Sequence, residues 1–353
     1  MWTAIEAAFG GSGWPFAILA YFVVGAIVSR PRGSLQARVM GVVGWPIELA
    51  QKLAGAGPMP YLFLLPNLLI FGIYTFAPLF INVGFSFTEG QSINFSDRPF
   101  AGTDNWSRLL AETQIDTGGV NLEDDKFHRS VMDTAVFVVF QVPIMVFFSL
   151  VTALVLNRNI VARGFWRSIF FYPVMLSPVV VGFLWTLILK RQGLLSLTLM
   201  DWGIIDEPIQ WLVDPAWTMF WSVLVYTWAH LGFYMLILLA GLQAIPGDLY
   251  EAAEMDGTSD WRMLTRITLP LLMPTLLVVT VLSLIKAFQA FEELYAMQVS
   301  WMSLVSYIFE TAGLRGQPTA NGLGIAATAS LIAAGVLALL SVAQIALSGR
   351  NAR

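Results

Sequence analysis

Long runs of apolar residues, separated by shorter polar stretches, dominate this sequence. Six runs are long enough to cross the roughly 30 Å hydrocarbon core of a bilayer as helices, which takes about 20 residues each. They cover residues 60–87, 131–156, 165–189, 216–240, 267–288 and 323–347. Because backbone polar groups in lipid must be bonded within their own segment, this pattern predicts an all-α, polytopic membrane protein.

A seventh apolar run, residues 14–29, precedes these six and is shorter. Residues 1–13 contain no Lys or Arg, so the positive region of a signal peptide is missing, and we interpret the run as a retained anchor helix. The segment after it is typical of an amphipathic helix on the membrane surface, with a further span over 39–57 as the alternative. The predicted organisation is an N-terminal segment, 1–59, followed by a six-span core, 60–350.

Composition supports the membrane interpretation and excludes several kinds of site. Hydrophobic residues make up 57% of the chain and charged residues 12%, about half of the roughly 25% charged residues usual in soluble domains. The sequence has no cysteine and only two histidines, His128 and His230, which argues against a metal site or thiol chemistry. No block of basic residues indicates nucleic-acid binding.

The placement of Lys and Arg predicts the orientation, because these residues concentrate in cytoplasmic loops. Residues 30–59 and the short connection 157–167 are rich in arginine and are predicted to lie inside. The N-terminus is then outside, and the C-terminal tail and the loop 244–266 are inside. Lys190 and Arg191 fall on the outer side, against the general trend.

The loop 244–266 has the pattern of a short helix joined by a bend to the next span. Asp248 is a candidate N-cap, and Gly257 can adopt the left-handed conformation that ends a helix. Ser259 is a candidate cap for a second helix that leads into the membrane, with Pro270 in the first turns of the span. Such a surface helix could dock another protein, or it could be an ordinary connection between spans.

A spaced motif in this region favours docking. Glu251-Ala252-Ala253, three residues, Gly257, nine residues, and then Ile267-x-Leu269-Pro270 resembles the EAA signature of permease subunits of bacterial ATP-binding-cassette importers. The resemblance covers residues 60–347 and is closest to sugar-type permeases of the maltose and glycerol-phosphate importer group. The segment 291–297, "FEELYAM", is similar to the one after the fifth core span in that group.

The resemblance implies a six-helix type I importer permease core with one extra N-terminal helix, in the bacterial inner membrane. It also implies that the chain has no catalytic site or cofactor of its own. Two partner ATPases would hold ATP and Mg, a second permease would complete the path, and an extracytoplasmic binding protein would deliver the solute. The solute is expected to be a sugar, an oligosaccharide or a glycerol-type polyol, with a phosphate ester as an open alternative.

The resemblance assigns coupling to the ATPase to the motif. Glu251 would make a charged contact, Ala252 and Ala253 would allow close seating, and Gly257 would make the bend. The other residues of the coupling set are Asp256, Ile267, Leu269 and Pro270. The sequence departs from the family at 298–301, where Gln-Val-Ser-Trp replaces the usual T-x-G-G-P turn.

Polar and aromatic side chains within the spans are candidates for the solute path, because such groups in membrane helices usually face an interior path. Ser283 lies where maltose-type permeases have a sugar-contacting serine, although a serine can also bond its own helix backbone. Tyr226, His230 and Tyr234 repeat every four residues and therefore share one helix face. Lys286, Gln289 and Gln141 complete the set, with packing or interfacial roles as the alternatives.

An ion-coupled secondary transporter is the main alternative from another class. Such a protein would be expected to carry acids near the middle of its spans, and none of the six core spans has one there. A membrane enzyme is less favoured still, because no nucleophile and base or metal-ligand spacing stands out.

Overall fold

The structure is a computed structural model that describes residue 51 and residues 59–90, 92–111, 126–314 and 321–351. The predicted anchor helix at 14–29 and, apart from Gln51, the segment over 39–57 lie outside these residues. The chain divides into two compact units, Met1–Ile81 and Asn82–Arg353.

Every regular element in the described part of the chain is helical, and the extended pairing there is an isolated antiparallel bridge between Thr88 and Phe100. The α-helices are α1 Met59–Phe71, α2 Ala77–Ser86, α3 Asp104–Ala111, α4 Lys126–Asn157, α5 Arg163–Phe171, α6 Pro178–Leu189, α7 Leu194–Asp201, α8 Pro215–Gln243, α9 Asp248–Met255, α10 Asp260–Met263, α11 Leu269–Phe288, α12 Glu292–Met297, α13 Leu304–Thr311 and α14 Gly322–Asn351.

Six helical segments of the described residues are long and apolar enough to cross a membrane, which agrees with the six predicted core spans. They are Leu64–Ser86, Lys126–Asn157, Pro178–Asp201, Trp217–Gln243, Asp260–Phe288 and Gly322–Ala343. The boundaries differ most in the third, where the sequence predicts one helix over 165–189. There α5 ends at Phe171, a 3-10 turn covers Tyr172–Met175, and α6 begins at Pro178. Proline has no N–H to continue the hydrogen-bond ladder, and Pro173 and Pro178 stand at this break.

Pro270 has a smaller effect on the fifth span. The span runs without interruption from α10 through a π-helical turn, Leu264–Thr268, into α11. The amide of Leu269 bonds the carbonyl of Leu264, five residues earlier, immediately before the proline. Wider turns of this kind re-satisfy backbone groups around a proline within a membrane helix.

The core of the Asn82–Arg353 unit forms where α8 packs along α4 and α11. Phe137 stacks on Trp301 at 5.2 Å between ring centroids and meets the ring of Tyr226 edge-on at 5.6 Å. The indole N–H of Trp301 donates to Ser222 Oγ over 3.0 Å, so this buried ring also has its polar group satisfied.

Small residues allow the helices of this unit to approach closely, as is typical where lipid supplies no hydrophobic drive between helices. A Cβ added at Gly232 of α8 would strike the carbonyl oxygen of Phe170 at the end of α5. A Cβ at Gly182 of α6 would strike the carbonyl of Glu293 and the side chain of Ala296 on α12. These two glycines therefore fix how α5 and α12 sit against the longer helices.

Arg98 organises the connection between the first and second spans. Its guanidinium is buried, donates to Thr88 Oγ1 over 2.8 Å and to the carbonyls of Gly90 and Ser92 over 2.6 and 2.9 Å, and lies 5.0 Å from the centre of the Phe85 ring. Asn105 of α3 donates to the carbonyls of Ser86 and Thr88. The described part of this predicted outer loop is thus folded rather than extended.

Candidate functional site

The loop 244–266 contains the two helices predicted for it. Helix α9, Asp248–Met255, ends in a Schellman motif. The amide of Gly257 donates to the carbonyl of Glu254, and the amide of Thr258 donates to the carbonyl of Ala253. Gly257 has φ +67°, the left-handed conformation that the sequence predicts for it. The bend is therefore set by the glycine itself.

The predicted caps are less accurate than the predicted helices. Gly247 is the N-cap of α9, and Asp248 is its first residue, where its charge faces the positive end of the helix without capping it. Ser259 is the N-cap of α10 as predicted, but its side chain makes no capping hydrogen bond. The Pro-Gly turn before α9 accounts for the shift by one residue.

The two faces of α9 differ in exposure. Glu251, Ala252 and Asp256 are exposed, whereas Ala253 is buried within the chain itself and is not free to seat a second protein. The hydroxyl of Tyr250 lies 3.2 Å from Thr268 Oγ1 of the fifth span and ties α9 to it. Of the remaining motif residues, Ile267 and Leu269 are half-buried and Pro270 is exposed.

A polar cluster lies among the helices of the Asn82–Arg353 unit, where α8 meets the segment after α11. The ring of His230 stacks on Tyr226 at 4.2 Å, and its Nε2 lies 3.3 Å from Glu293 Oε1. The Tyr226 hydroxyl donates to the carbonyl of Lys286 over 2.8 Å. Two residues of the predicted solute path, Tyr226 and His230, are thus in direct contact.

Glu293 is the residue that sequence reasoning missed. It is only 4% exposed although it follows the fifth span, in a stretch where acids are expected to be solvated. Its carbonyl oxygen lies where a Cβ at Gly182 would be, so α12 packs closely on α6 at this residue. The one signal in the sequence is its position inside "FEELYAM", the segment similar to the one after the fifth core span of sugar-type permeases.

The other predicted path residues are more dispersed. Ser283 is buried and donates to the carbonyl of Thr280 over 3.0 Å, which is the backbone bond left open as its alternative. Tyr234 is 2% exposed and belongs to the hydrophobic core. Gln141 is buried and donates to Thr227 Oγ1 over 3.0 Å, while its buried Oε1 has no hydrogen-bond partner among the residues that the structure describes. Lys286 and Gln289 are exposed.

The segment that departs from the family turn is held in a defined conformation. Gln298 ends α12 with φ 54°, a left-handed conformation unusual for a residue other than glycine. The amide of Ser300 then donates to the carbonyl of Leu212 over 3.1 Å, and Trp301 enters the core. The segment is therefore tied to α8 and to the loop before it.

Comparison with known proteins gives the family. Residues 129–348 match the family described as "Binding-protein-dependent transport system inner membrane component". The lactose transport system permease protein LacF of Rhizobium radiobacter is 30% identical over 292 residues, which cover 80% of this chain and 92% of LacF. The trehalose/maltose transport system permease protein MalF of Thermococcus litoralis is 32% identical over 238 residues, which cover 67% of this chain and 76% of MalF.

A solved structure supports the fold. A chain in the crystal structure of a bacterial ABC transporter involved in the import of the acidic polysaccharide alginate is 23% identical, with a TM-score of 0.66. The match covers 87% of this chain and 98% of that one. The family match and the permease relatives contradict the alternative of an ion-coupled secondary transporter, and they show a transport subunit rather than an enzyme. It belongs to the inner-membrane components of binding-protein-dependent transport systems, as a multi-pass permease subunit of an ATP-binding-cassette importer.

Proposed function

We propose that this permease carries a sugar or oligosaccharide inward, together with a second permease, two ATPases that bind ATP and Mg, and an extracytoplasmic binding protein. The names of relatives support this solute class: LacF for lactose, MalF for trehalose and maltose, and, in the alginate importer, an acidic polysaccharide. A structure of that importer in complex with a pentasaccharide-bound periplasmic protein supports delivery by a binding protein.

The observation that carries the coupling role is the exposed face of α9, which presents Glu251 and Ala252 next to the bend at Gly257. We place this face on the cytoplasmic side, in contact with one ATPase. The Tyr250 and Thr268 contact would pass the movement of α9 to the fifth span. A difference in ATPase contact between states can shift the permease between inward-open and outward-open forms.

For the solute path we propose the cluster of Tyr226, His230 and Glu293, with Ser283 on the neighbouring helix. An aromatic ring beside paired polar groups suits a sugar, which presents both apolar ring faces and hydroxyls. Tyr234 and Gln141 would support this region from within the core, and Lys286 and Gln289 would lie at its outer end. Lys286 would also suit a phosphate ester.

Single cysteines can test both the orientation and the docking face, because the chain has no cysteine of its own. Ala252→Cys should react with an impermeant maleimide only after the membrane is permeabilised, whereas Ile93→Cys, 81% exposed, should react in intact cells. Ala252→Cys should also cross-link to the ATPase, and ATP should change the yield. Labelling of Ala252→Cys from outside would reverse the proposed orientation.

The solute class can be tested by uptake into vesicles that contain the assembled transporter and its binding protein. Labelled disaccharides and short oligosaccharides should enter in an ATP-dependent way, and a glycerol phosphate should not compete. Competition by the phosphate ester alone would move the assignment to an anionic solute.

A further inference from the structure

A cavity of about 550 Å³ lies beside helix α9 and the start of the fifth span. Its volume falls in the range of small-molecule sites, about 300–1,000 Å³. Four elements form it: the end of α4, the end of α8, the coupling helix α9, and the start of the fifth span. The lining residues are Leu154, Asn157, Arg158, Leu242, Tyr250, Asp260, Trp261, Met263, Leu264 and Thr268.

The cavity is apolar inside and charged at its mouth. Leu242 and Thr268 are 2% and 5% exposed and form its floor. Leu154 and Leu264 are half-buried along the walls. Because Thr268 and Tyr250 share a hydrogen bond of 3.2 Å, the hydroxyls at the back are already satisfied. The interior therefore suits a hydrocarbon chain rather than a polar solute.

The mouth carries two opposite charges that no described residue neutralises. Arg158 and Asp260 are both exposed, and neither forms an ion pair within 4.0 Å in the part of the chain that the structure describes. Trp261, 71% exposed, also lines the cavity. An exposed tryptophan at the end of a span is typical of the boundary between hydrocarbon and head groups.

The combination points to one kind of ligand. A group that complements Arg158 is an anion such as a phosphate, and one that complements Asp260 is an ammonium. A molecule that carries both on one head, joined to hydrocarbon, is a phospholipid with a primary amine. We propose that this cavity binds one phosphatidylethanolamine, with its phosphate at Arg158, its ammonium at Asp260 and an acyl chain between Leu154, Leu242 and Leu264.

The site would connect the coupling helix to the membrane. Tyr250 belongs to α9, and Thr268 belongs to the π-helical turn before Pro270, so the lipid would touch both ends of the contact that ties α9 to the fifth span. The proposal depends on the chain lying in a membrane and on the charges at the mouth. It does not depend on the solute or on the face of the membrane to which the loop projects.

The test is lipid binding to the complete, detergent-solubilised transporter by native mass spectrometry, with dioleoyl phosphatidylethanolamine as the probe and the phosphatidylglycerol and phosphatidylcholine analogues for comparison. We expect one phosphatidylethanolamine to bind tightly, and Arg158→Ala and Asp260→Asn each to weaken that binding about tenfold, as expected for loss of one charge-assisted bond. Leu154→Trp, which fills the cavity, should abolish it.

Two variants serve as matched controls, since neither residue lines the cavity. Arg262→Ala removes a nearby exposed arginine, and Glu254→Gln removes an exposed acid of α9; both should bind the lipid as the wild type does. Each variant should elute from size-exclusion chromatography at the position of the intact transporter complex. Binding of phosphatidylglycerol as tight as that of phosphatidylethanolamine, or stronger binding in Asp260→Asn, would overturn the amine contact. Unchanged binding in all cavity variants would show that any bound lipid lies elsewhere and that the cavity holds none.

Discussion

His230 Nε2 lies 3.3 Å from Oε1 of Glu293, and the other ring nitrogen, Nδ1, lies 3.0 Å from the carbonyl oxygen of Tyr226. Both neighbours are acceptors when the carboxyl is ionised. The Tyr226 carbonyl can only accept, so Nδ1 donates to it, and this bond orients the ring with Nε2 toward the Glu293 carboxyl. Because Glu293 is 4% exposed, loss of its partner would leave a buried group without compensation.

Replacing Glu293 should therefore impair transport more than replacing its neighbour. Glu293→Gln keeps the size of the side chain but removes the charge, and we expect ATP-dependent uptake to fall about tenfold, the effect of one hydrogen bond to a charged group. Glu292→Gln is the control, because Glu292 is exposed on the same helix. Equal uptake by the two variants would remove Glu293 from the proposed path.

The bend at Gly257 can be tested without a steric clash, because, apart from its two chain neighbours, no described residue has an atom within 4 Å of where a Cβ would be. Gly257→Val should strain the left-handed backbone by about 1–2 kcal/mol and uncouple ATP hydrolysis from uptake. Gly257→Asn, a residue that tolerates this conformation, should retain most of the coupling. The ratio of solute taken up to ATP hydrolysed is the measurement, and full coupling in the valine variant would contradict the role.

Close packing of α6 against α12 predicts that a side chain at Gly182 lowers the stability of the complex. Gly182→Ala places a methyl group against the Glu293 carbonyl, so the backbone must shift, and the melting temperature of the purified complex should fall. Gly335→Ala, in the open on α14, is the control and should leave it unchanged or raise it slightly. Similar melting temperatures for both variants would mean that α12 accommodates the methyl group.

Variants of the buried pair Gln141 and Thr227 can distinguish a structural role of Gln141 from a role in the solute path. Thr227→Val removes the acceptor of the Gln141 side-chain amide and leaves a buried N–H unpaired, which should destabilise the complex by about 1–3 kcal/mol. Gln141→Leu should be nearly neutral for stability, because it also removes the unpaired Oε1. Uptake should be measured for both variants: reduced uptake by a stable Gln141→Leu complex supports contact with solute, and normal uptake assigns the residue to packing alone.

Some features of this protein follow from neighbouring residues in the sequence, and others depend on contacts in the tertiary structure. The six apolar runs, the helix 248–255 and the left-handed turn at Gly257 follow from local rules, since span length, helix ends and glycine conformation depend on neighbouring residues. The spacing of the EAA motif is equally local, and it was enough to indicate the family. Pro173 and Pro178 carried a local signal as well, but the single apolar run around them concealed the break.

Contacts between distant residues decided the rest. Helix α12, which carries the buried Glu293, packs closely on Gly182, more than a hundred positions away, and Glu293 meets His230 of α8. Ala253 faces inward because α9 is tied to Thr268, and Gln298 takes a left-handed conformation where the chain returns to Leu212. Sequence by itself therefore determined the spans, the helix 248–255 and the family. Which polar side chains become paired within the membrane was decided only by tertiary packing, because burial and hydrogen-bond partners come from helices far apart in the chain.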